Sequence, residues 1–384
     1  MGRFLGVVAL VVALAGCGPS QPGPAGPVAV AASTSPDLAA RPHSTAAPDP
    51  TPDAAASAPS SAPPAPTTSP TQWRAPSPTN PSPTNRSTPT PVPHATRHAS
   101  ATLSPTPLPT PPPTATLKTS TGVPYTPTIA CSATGSVQCQ LDMDVVRPSG
   151  GGPWPVFLLL QGGPSAVDQA DYMLPLADAL AHQGAVVMVA DWRQAADTGG
   201  GFPKSFQDVS CAVGVTRAIA ARYGGDGASV TLVGHSLGGW AGAVVTLAPT
   251  VFTPAAGTCD ATIGSLRPNA FVDLDGAVDE PTAMEDGSPY VTAFFGGTAA
   301  QQPTAYADGD PFSILAAHPA GGNPAPILVV HATSDATVPV ATSQSFHAAL
   351  VSAGYPNQLL LISGGHTAAI GSSTVAAAIM ELVT

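Results

Sequence analysis

From residue 121 to its end the chain switches repeatedly between short apolar runs and longer stretches with helical spacing. Residues 155–161, 185–190, 230–233, 270–274, 327–331 and 358–362 are continuous or nearly continuous apolar runs, and each reads as a buried strand. Residues 137–147 alternate instead, with Leu141, Met143 and Val145 on one face, and together with 128–132 they suggest an antiparallel hairpin. Helix-like segments lie between the runs. Residues 173–183 carry Pro175 in the first turn and are followed by Gly184 as a C-cap. Ser205-Phe206-Gln207-Asp208 has the form of a capping box opening a helix to Tyr223, with Phe206, Val209, Val213 and Ile219 at helical spacing. Residues 239–247, 342–353 and 375–383 are further helices. Strands alternating with helices predict an α/β fold, a mainly parallel central sheet with helices on both faces.

Residues 18–120 show neither period. Pro, Thr, Ser and Ala dominate, and 77–85 is a near-direct repeat of Ser-Pro-Thr-Asn. Too little apolar surface is present to offset the entropy of ordering, which predicts a disordered, extended linker. Before it, Arg3 precedes an apolar run, 4–14, too short to span a bilayer, and 1–17 therefore reads as a targeting segment. Leu14-Ala15-Gly16-Cys17 resembles the bacterial lipobox, which implies lipidation of Cys17 and a membrane anchor. The expected organisation is a lipoprotein signal peptide at 1–17, a linker at 18–120 and a folded α/β domain at 121–384. The expected location is the bacterial cell surface or envelope, with the domain outside the cytoplasm.

Charge narrows the partners. The chain carries a net charge of -11, and residues 119–384 hold six basic against twenty acidic side chains. No basic stripe is present, which argues against nucleic-acid binding. The acidity suggests solubility more than a cationic substrate, and a monomer is expected. Cys131, Cys139, Cys211 and Cys259 remain after Cys17, an even number in a chain expected to be exported. Three pairings are possible. Cys131–Cys139 across the hairpin and Cys211–Cys259 across the later domain are the favoured set, with Cys211 as a small buried hydrophobe the alternative. No cysteine–histidine spacing matches a zinc site, and neither metal nor cofactor is expected.

The chemistry gathers at Gly234-His235-Ser236-Leu237-Gly238, between the strand at 230–233 and the helix at 239–247. A serine at a sharp strand-to-helix corner lifts its hydroxyl above the sheet edge, and the amide of Leu237 can donate to a developing oxyanion. A serine needs a base, and the base an orienting acid. Asp335 follows the strand at 327–331, and His366 follows the strand at 358–362 across a glycine turn. Both fall just past strand C-termini, where an open parallel sheet places its site.

With its Gly234-His-Ser-Leu-Gly-Gly239 elbow, Asp335-Ala-Thr-Val-Pro339 loop and Gly365-His366, the chain from 140 to 384 resembles the α/β-hydrolase superfamily, especially its secreted esterase and lipase branch. The resemblance implies Ser236 as nucleophile, His366 as general base and acid, and Asp335 as orienter. It departs at the oxyanion loop. Gln161-Gly162-Gly163-Pro164 stands where the family often has His-Gly-Gly, and Pro164 has no N–H. The second donor is therefore expected from Gly163 or Gly162, beside Leu237. Asp273 and Asp275 are the rival acids. His331 and His235 read as structural, His182, His318 and His347 as surface residues, Trp240 as core and Trp192 as a possible pocket wall.

The expected function is serine hydrolysis of carboxylic esters, small or polymeric, through an acyl-enzyme and without a cofactor. A peptidase of the prolyl-oligopeptidase type and a non-catalytic binding lipoprotein on a hydrolase scaffold are the alternatives. Residues 249–267 and 278–312 are the segments able to roof a pocket.

Overall fold

A computed structural model describes residues 116–163, 170–260, 263–283 and 288–383. The expected signal peptide with Cys17, and the linker up to residue 115, lie outside the described residues. The chain forms β1 (Leu117–Pro124), β2 (Ile129–Ala130), β3 (Gln138–Cys139), β4 (Asp142–Pro148) and β5 (Trp154–Leu160), then α1 (Leu174–His182), β6 (Val186–Ala190), α2 (Lys204–Ile219), β7 (Gly225–His235), α3 (Leu237–Leu247) and β8 (Ala270–Leu274). Four short helices follow: α4 (Glu280–Ala283), α5 (Pro289–Phe295), α6 (Pro303–Gly309) and α7 (Pro311–Ala317). The chain then forms β9 (Ile327–Ala332), α8 (Val340–Ala353), β10 (Asn357–Ile362) and α9 (Ser373–Glu381).

Eight strands make one sheet in the order β1-β4-β6-β5-β7-β8-β9-β10. β5 to β10 pair in parallel, while β4 runs antiparallel to both β1 and β6. The apolar run of β5 is explained by its two faces. Val156, Leu158 and Leu160 pack with Val209, Val213, Trp240, Val244 and Phe346 beneath α2, α3 and α8. Phe157 and Leu159 pack on the opposite face with Leu176 and Leu180 of α1 and Val375 and Ile379 of α9. A strand sandwiched in this way needs an apolar residue at every position.

Two local expectations are corrected. The expected hairpin exists only at 129–130 and 138–139; the alternating stretch forms β4, whose antiparallel partners are β1, with Leu117 opposite Pro148, and β6. The domain therefore takes in residues 117–120, which the sequence assigned to the linker. β1 is an edge strand, LKTSTGVP, and two apolar side chains, Leu117 and Val123, reach the core, so it carries little apolar signal. Residues 129–130 pair with 138–139 in a separate two-stranded ribbon closed by a Cys131–Cys139 disulfide with Cα atoms 5.8 Å apart. Cys211 and Cys259 form the second disulfide.

Ser205 is not an N-cap either. It lies inside α2, where its hydroxyl donates to Arg193 O at 2.5 Å and accepts from the Gly201 amide at 2.9 Å. Asp208 instead receives the Arg193 guanidinium, at 2.7 and 2.8 Å. A long-range cation outcompetes the local backbone for that carboxylate.

Candidate active site

β7 ends at His235 and α3 begins at Leu237, leaving Ser236 alone on the corner with φ 57° and ψ -121°. A side chain with positive φ is strained, and strain of this kind is held only by its surroundings. Here the Ser236 amide donates to Leu274 O at 2.9 Å, while its carbonyl accepts from Trp240 N and Ala277 N, each at 3.1 Å. The corner also demands its glycines. A Cβ on Gly238 would lie 2.6 Å from the carbonyl oxygens of both Leu160 and Gln161, and one on Gly234 would collide with the Gly238 backbone.

Three distant segments converge on that hydroxyl. His366 Nε2 lies 3.0 Å from Ser236 Oγ. His366 Nδ1 lies 2.7 Å from Asp335 Oδ2. The other oxygen of Asp335 accepts the amides of Thr337 at 2.7 Å and Val338 at 3.0 Å. Burial pushes the Asp335 carboxyl up, but the bond from His366 and those two amides outweigh it and hold it below the ordinary value. The two loops are tied by backbone bonds, from Thr333 N to Ile362 O at 2.8 Å and from Ser334 N to Gly364 O at 2.9 Å. An imidazole so placed can accept the serine proton while its other nitrogen is fixed by the acid.

The rival acids lie elsewhere. Asp273 is fully buried, and its carboxyl is raised by burial and by the charge of Asp275. It fills the space beside Gly239 and Gly276, where a Cβ would strike it. Asp275 follows β8 with φ 48° and accepts the Ala332 amide at 2.7 Å. Burial pushes its carboxyl up to about 6. Asp275, His331 and Asp335 place one polar atom each within 4.8 Å of one another, a grouping that could hold a metal ion. Each already has partners: His331 Nε2 faces Val338 O at 3.0 Å, and its Nδ1 faces Ser343 Oγ at 2.7 Å.

The Gln161-Gly162-Gly163 loop is held by side chains that the sequence did not reveal. The Gly162 amide donates to the Tyr172 hydroxyl. Gln194 Nε2 donates to Gly162 O at 2.9 Å, and Trp192 Nε1 donates to Gln161 O at 3.1 Å. Trp192 is thus a fully buried support of the loop and not a pocket wall. His235 connects the loop to His366. Its Nε2 faces the carbonyl of His366 at 2.7 Å, and its Nδ1 faces the Tyr172 hydroxyl at 3.1 Å. A carbonyl only accepts, so Nε2 carries the proton and Nδ1 accepts from Tyr172. Burial lowers His235 to about 4, which keeps the ring neutral. Burial also pushes the Tyr172 phenol up to about 12.

Two hollows meet at Ser236. One, of about 420 Å³, is walled by Leu237, Ala277, Asp279, Glu280, Tyr290 and Val338. The other, of about 410 Å³, runs along Gly162, Tyr172, His235, His366 and Thr367. Gly163 and Thr337 border both. Of the two segments expected to roof the pocket, 278–312 supplies Asp279, Glu280, Ser288 and Tyr290.

A model of the BD-FAE family matches residues 143–350. The chain belongs to the BD-FAE family. BD-FAE is an esterase family of the α/β-hydrolase kind, which makes this protein a carboxylic ester hydrolase. The match spans the Ser236 elbow and the Asp335 loop and ends before His366. Solved structures share the fold of this BD-FAE protein at low identity. A bifunctional GH43-CE protein of Bacteroides eggerthii is 23% identical over 63% of this chain and 35% of its own, with a TM-score of 0.53. This chain therefore spans about a third of that protein. A truncated carbohydrate esterase from gut microbiota is 19% identical over 68% of this chain and 97% of its own, with a TM-score of 0.50. Esterase Est2 of Thermogutta terrifontis with propionate bound is 21% identical over 67% and 93%, with a TM-score of 0.52. No curated protein matches the chain.

Proposed function

We propose that Ser236, His366 and Asp335 form a catalytic triad that cleaves carboxylic esters through an acyl-enzyme. The observation that carries this is the unbroken chain from Ser236 Oγ to His366 at 3.0 Å and on to Asp335 at 2.7 Å. Ser236 Oγ attacks the carbonyl carbon as its proton passes to His366 Nε2. The carbonyl oxygen becomes an oxyanion and receives the amides of Leu237 and Gly163. Leu237 opens α3, so its N–H has no acceptor within the helix. Gly162 is the weaker candidate, because its amide is engaged by Tyr172. The carbon–oxygen bond to the alcohol then breaks, and His366 returns the proton to the departing oxygen. Water repeats the sequence on the acyl-enzyme and releases the acid.

The leaving oxygen must come within reach of His366 Nε2. The alcohol half therefore occupies the hollow along Tyr172 and His366, and the acyl half the hollow beneath Ala277 and Tyr290. A short acyl group on a carbohydrate alcohol is the substrate class we infer. It is supported by family membership, by neighbours described as carbohydrate esterases, and by a neighbour with propionate bound. We infer, too, a monomeric, exported enzyme lipidated at Cys17 and tethered by the linker. Two disulfides support an oxidising compartment.

Fluorophosphonate labelling tests the triad. Wild-type protein should label covalently and Ser236→Ala should not; equal labelling of both removes Ser236 as nucleophile. Rates on p-nitrophenyl acetate, on longer acyl esters and on aminoacyl amides then separate an esterase from a lipase and a peptidase.

A further inference from the structure

The amide assigned above to the oxyanion, beside that of Leu237, belongs to the peptide between Gly162 and Gly163. That peptide is trans, so its C=O and its N–H point in opposite directions from one rigid plane. Whatever holds Gly162 O therefore also sets where the Gly163 N–H is aimed. The holder is Gln194, whose Nε2 donates to Gly162 O at 2.9 Å. Gln194 is fully buried and follows β6. Its main chain is held in turn from the acyl hollow, where the Tyr290 hydroxyl donates to Gln194 O at 2.9 Å. Burial raises the Tyr290 phenol well above its ordinary value, so it keeps the proton that it donates.

Tyr290 is thus both a wall of the hollow at Ser236 and the far end of a path to the Gly163 amide. Its ring is braced from behind. The Phe294 ring lies 6.1 Å from it, centroid to centroid, and Phe294 packs on Trp240 of α3 at 4.9 Å. An acyl chain in the hollow packs against the ring and steadies the hydroxyl on Gln194. The hollow, of about 420 Å³, holds far more than an acetyl group, so a short acyl chain leaves the ring without that contact. Contacts made away from the reacting carbonyl can order the groups that act in the transition state, and they then appear in kcat.

We propose that Tyr290, acting through Gln194, aims the Gly163 amide at the oxyanion, and that an acyl group long enough to pack on the Tyr290 ring is for that reason turned over faster and not merely held more tightly. Tyr290 and Gln194 are positioning residues in this scheme, since they act through the Gly162–Gly163 peptide. The scheme rests on the triad, on the Gly163 amide as oxyanion donor and on the placing of the acyl half given above. It adds a determinant of acyl length.

The test uses the full chain with p-nitrophenyl acetate and p-nitrophenyl butyrate, and counts rates per fluorophosphonate-reactive site. In wild type, kcat on butyrate should exceed that on acetate by about fivefold. Tyr290→Phe keeps the ring and removes the hydroxyl. It should bring that ratio close to one and lower kcat on butyrate by about tenfold, with KM changed by less than about twofold. Gln194→Met should act in the same direction, and the double variant should lose no more than Gln194→Met alone, because both lie on one path. The ketone 1,1,1-trifluoropentan-2-one, which forms an oxyanion when Ser236 adds to it, should inhibit Tyr290→Phe more weakly by the factor that kcat falls, a measurement that does not need the Gln194 variant to fold. A Tyr290→Phe protein with the wild-type ratio and the wild-type rate per site overturns the path, whatever its stability, and leaves the triad standing. Equal kcat on the two esters in wild type, or additive losses in the double variant, does the same. Failure of wild type to hydrolyse either ester overturns the triad as well.

Discussion

His331 Nε2 lies 3.4 Å from the Asp335 oxygen that also faces His366 Nδ1 at 2.7 Å. One carboxylate oxygen thus sits between two imidazoles, one open to the hollow and one fully buried. His331 is fixed in turn by Ser343 Oγ, at 2.7 Å, and by Val338 O, at 3.0 Å. Val338 carries one of the amides that hold Asp335, so His331 positions the acid both directly and through the loop. His331→Gln should therefore lower kcat by about tenfold and change KM by less than about twofold. Rates must be normalised to sites counted by fluorophosphonate burst, because a fold-level defect reduces the number of sites and not the rate per site. An unchanged rate per site would make His331 purely structural.

Asp335 and Asp275 are separated by the same measurement. Asp335→Asn leaves His366 with a partner that no longer fixes its tautomer, and kcat should fall by about 10⁴. Asp275→Asn keeps an acceptor for the Ala332 amide and should cost less than about tenfold. The second variant has a signature in stability as well. Asp275 is raised to about 6, so between its unfolded value and 6 the folded state binds the extra proton. Its contribution is full at low pH and is lost as pH rises through 6. Urea midpoints of Asp275→Asn should fall less than those of wild type between pH 4 and pH 7.

His235 runs the other way. Its folded value is about 4, below the 6.5 of a free imidazole, so the unfolded chain binds the extra proton between those values. The fold loses stability as pH falls through that window, by about 3 kcal/mol once the ring is forced to charge. Titrating stability from pH 7 to pH 4 in His235→Gln should show a shallower acid limb than wild type. An identical limb would mean that the ring is not neutral in the fold.

Tyr172 provides the acceptor for the Gly162 amide and the donor for His235 Nδ1. Tyr172→Phe leaves both groups without it. Stability should drop by about 1–2 kcal/mol. The loop at Gly162 should loosen, and if it carries the oxyanion donor as proposed, kcat falls by about tenfold with KM nearly unchanged. Unaltered kcat would show that Gln194 and Trp192 hold the loop by themselves.

At the elbow, Gly238→Ala drives a methyl group to within 2.6 Å of two main-chain oxygens, those of Leu160 and Gln161. Neither oxygen can move without breaking β5 from its place. The variant should lose more than about 3 kcal/mol in urea unfolding, or fail to accumulate as folded protein. A folded variant with wild-type stability would show that the corner is not set by this contact.

The parallel sheet was legible because its signal is local. A strand covered on both faces is apolar at nearly every position, as β5 and β6 are throughout and β7 is only over 230–233. That Ser236, Asp335 and His366 would meet was legible because each lies just past the C-terminus of a strand, β7, β9 or β10, at one edge of the sheet. β1 was not: an edge strand sets only Leu117 and Val123, six residues apart, against the core, so its pairing with β4 leaves little pattern in the chain. The capping box at Ser205 misled for a related reason, since Asp208 answers to Arg193, a residue brought near only by folding. The same holds for the support of the site. Tyr172, Gln194 and His331 are ordinary polar residues until the sheet sets them beside Gly162 and Asp335. Sequence spacing determines which groups are carried to the sheet's edge. Whether an amide is engaged, a ring neutral or a pocket wall acidic depends on neighbours far along the chain, and only the packed structure decides it.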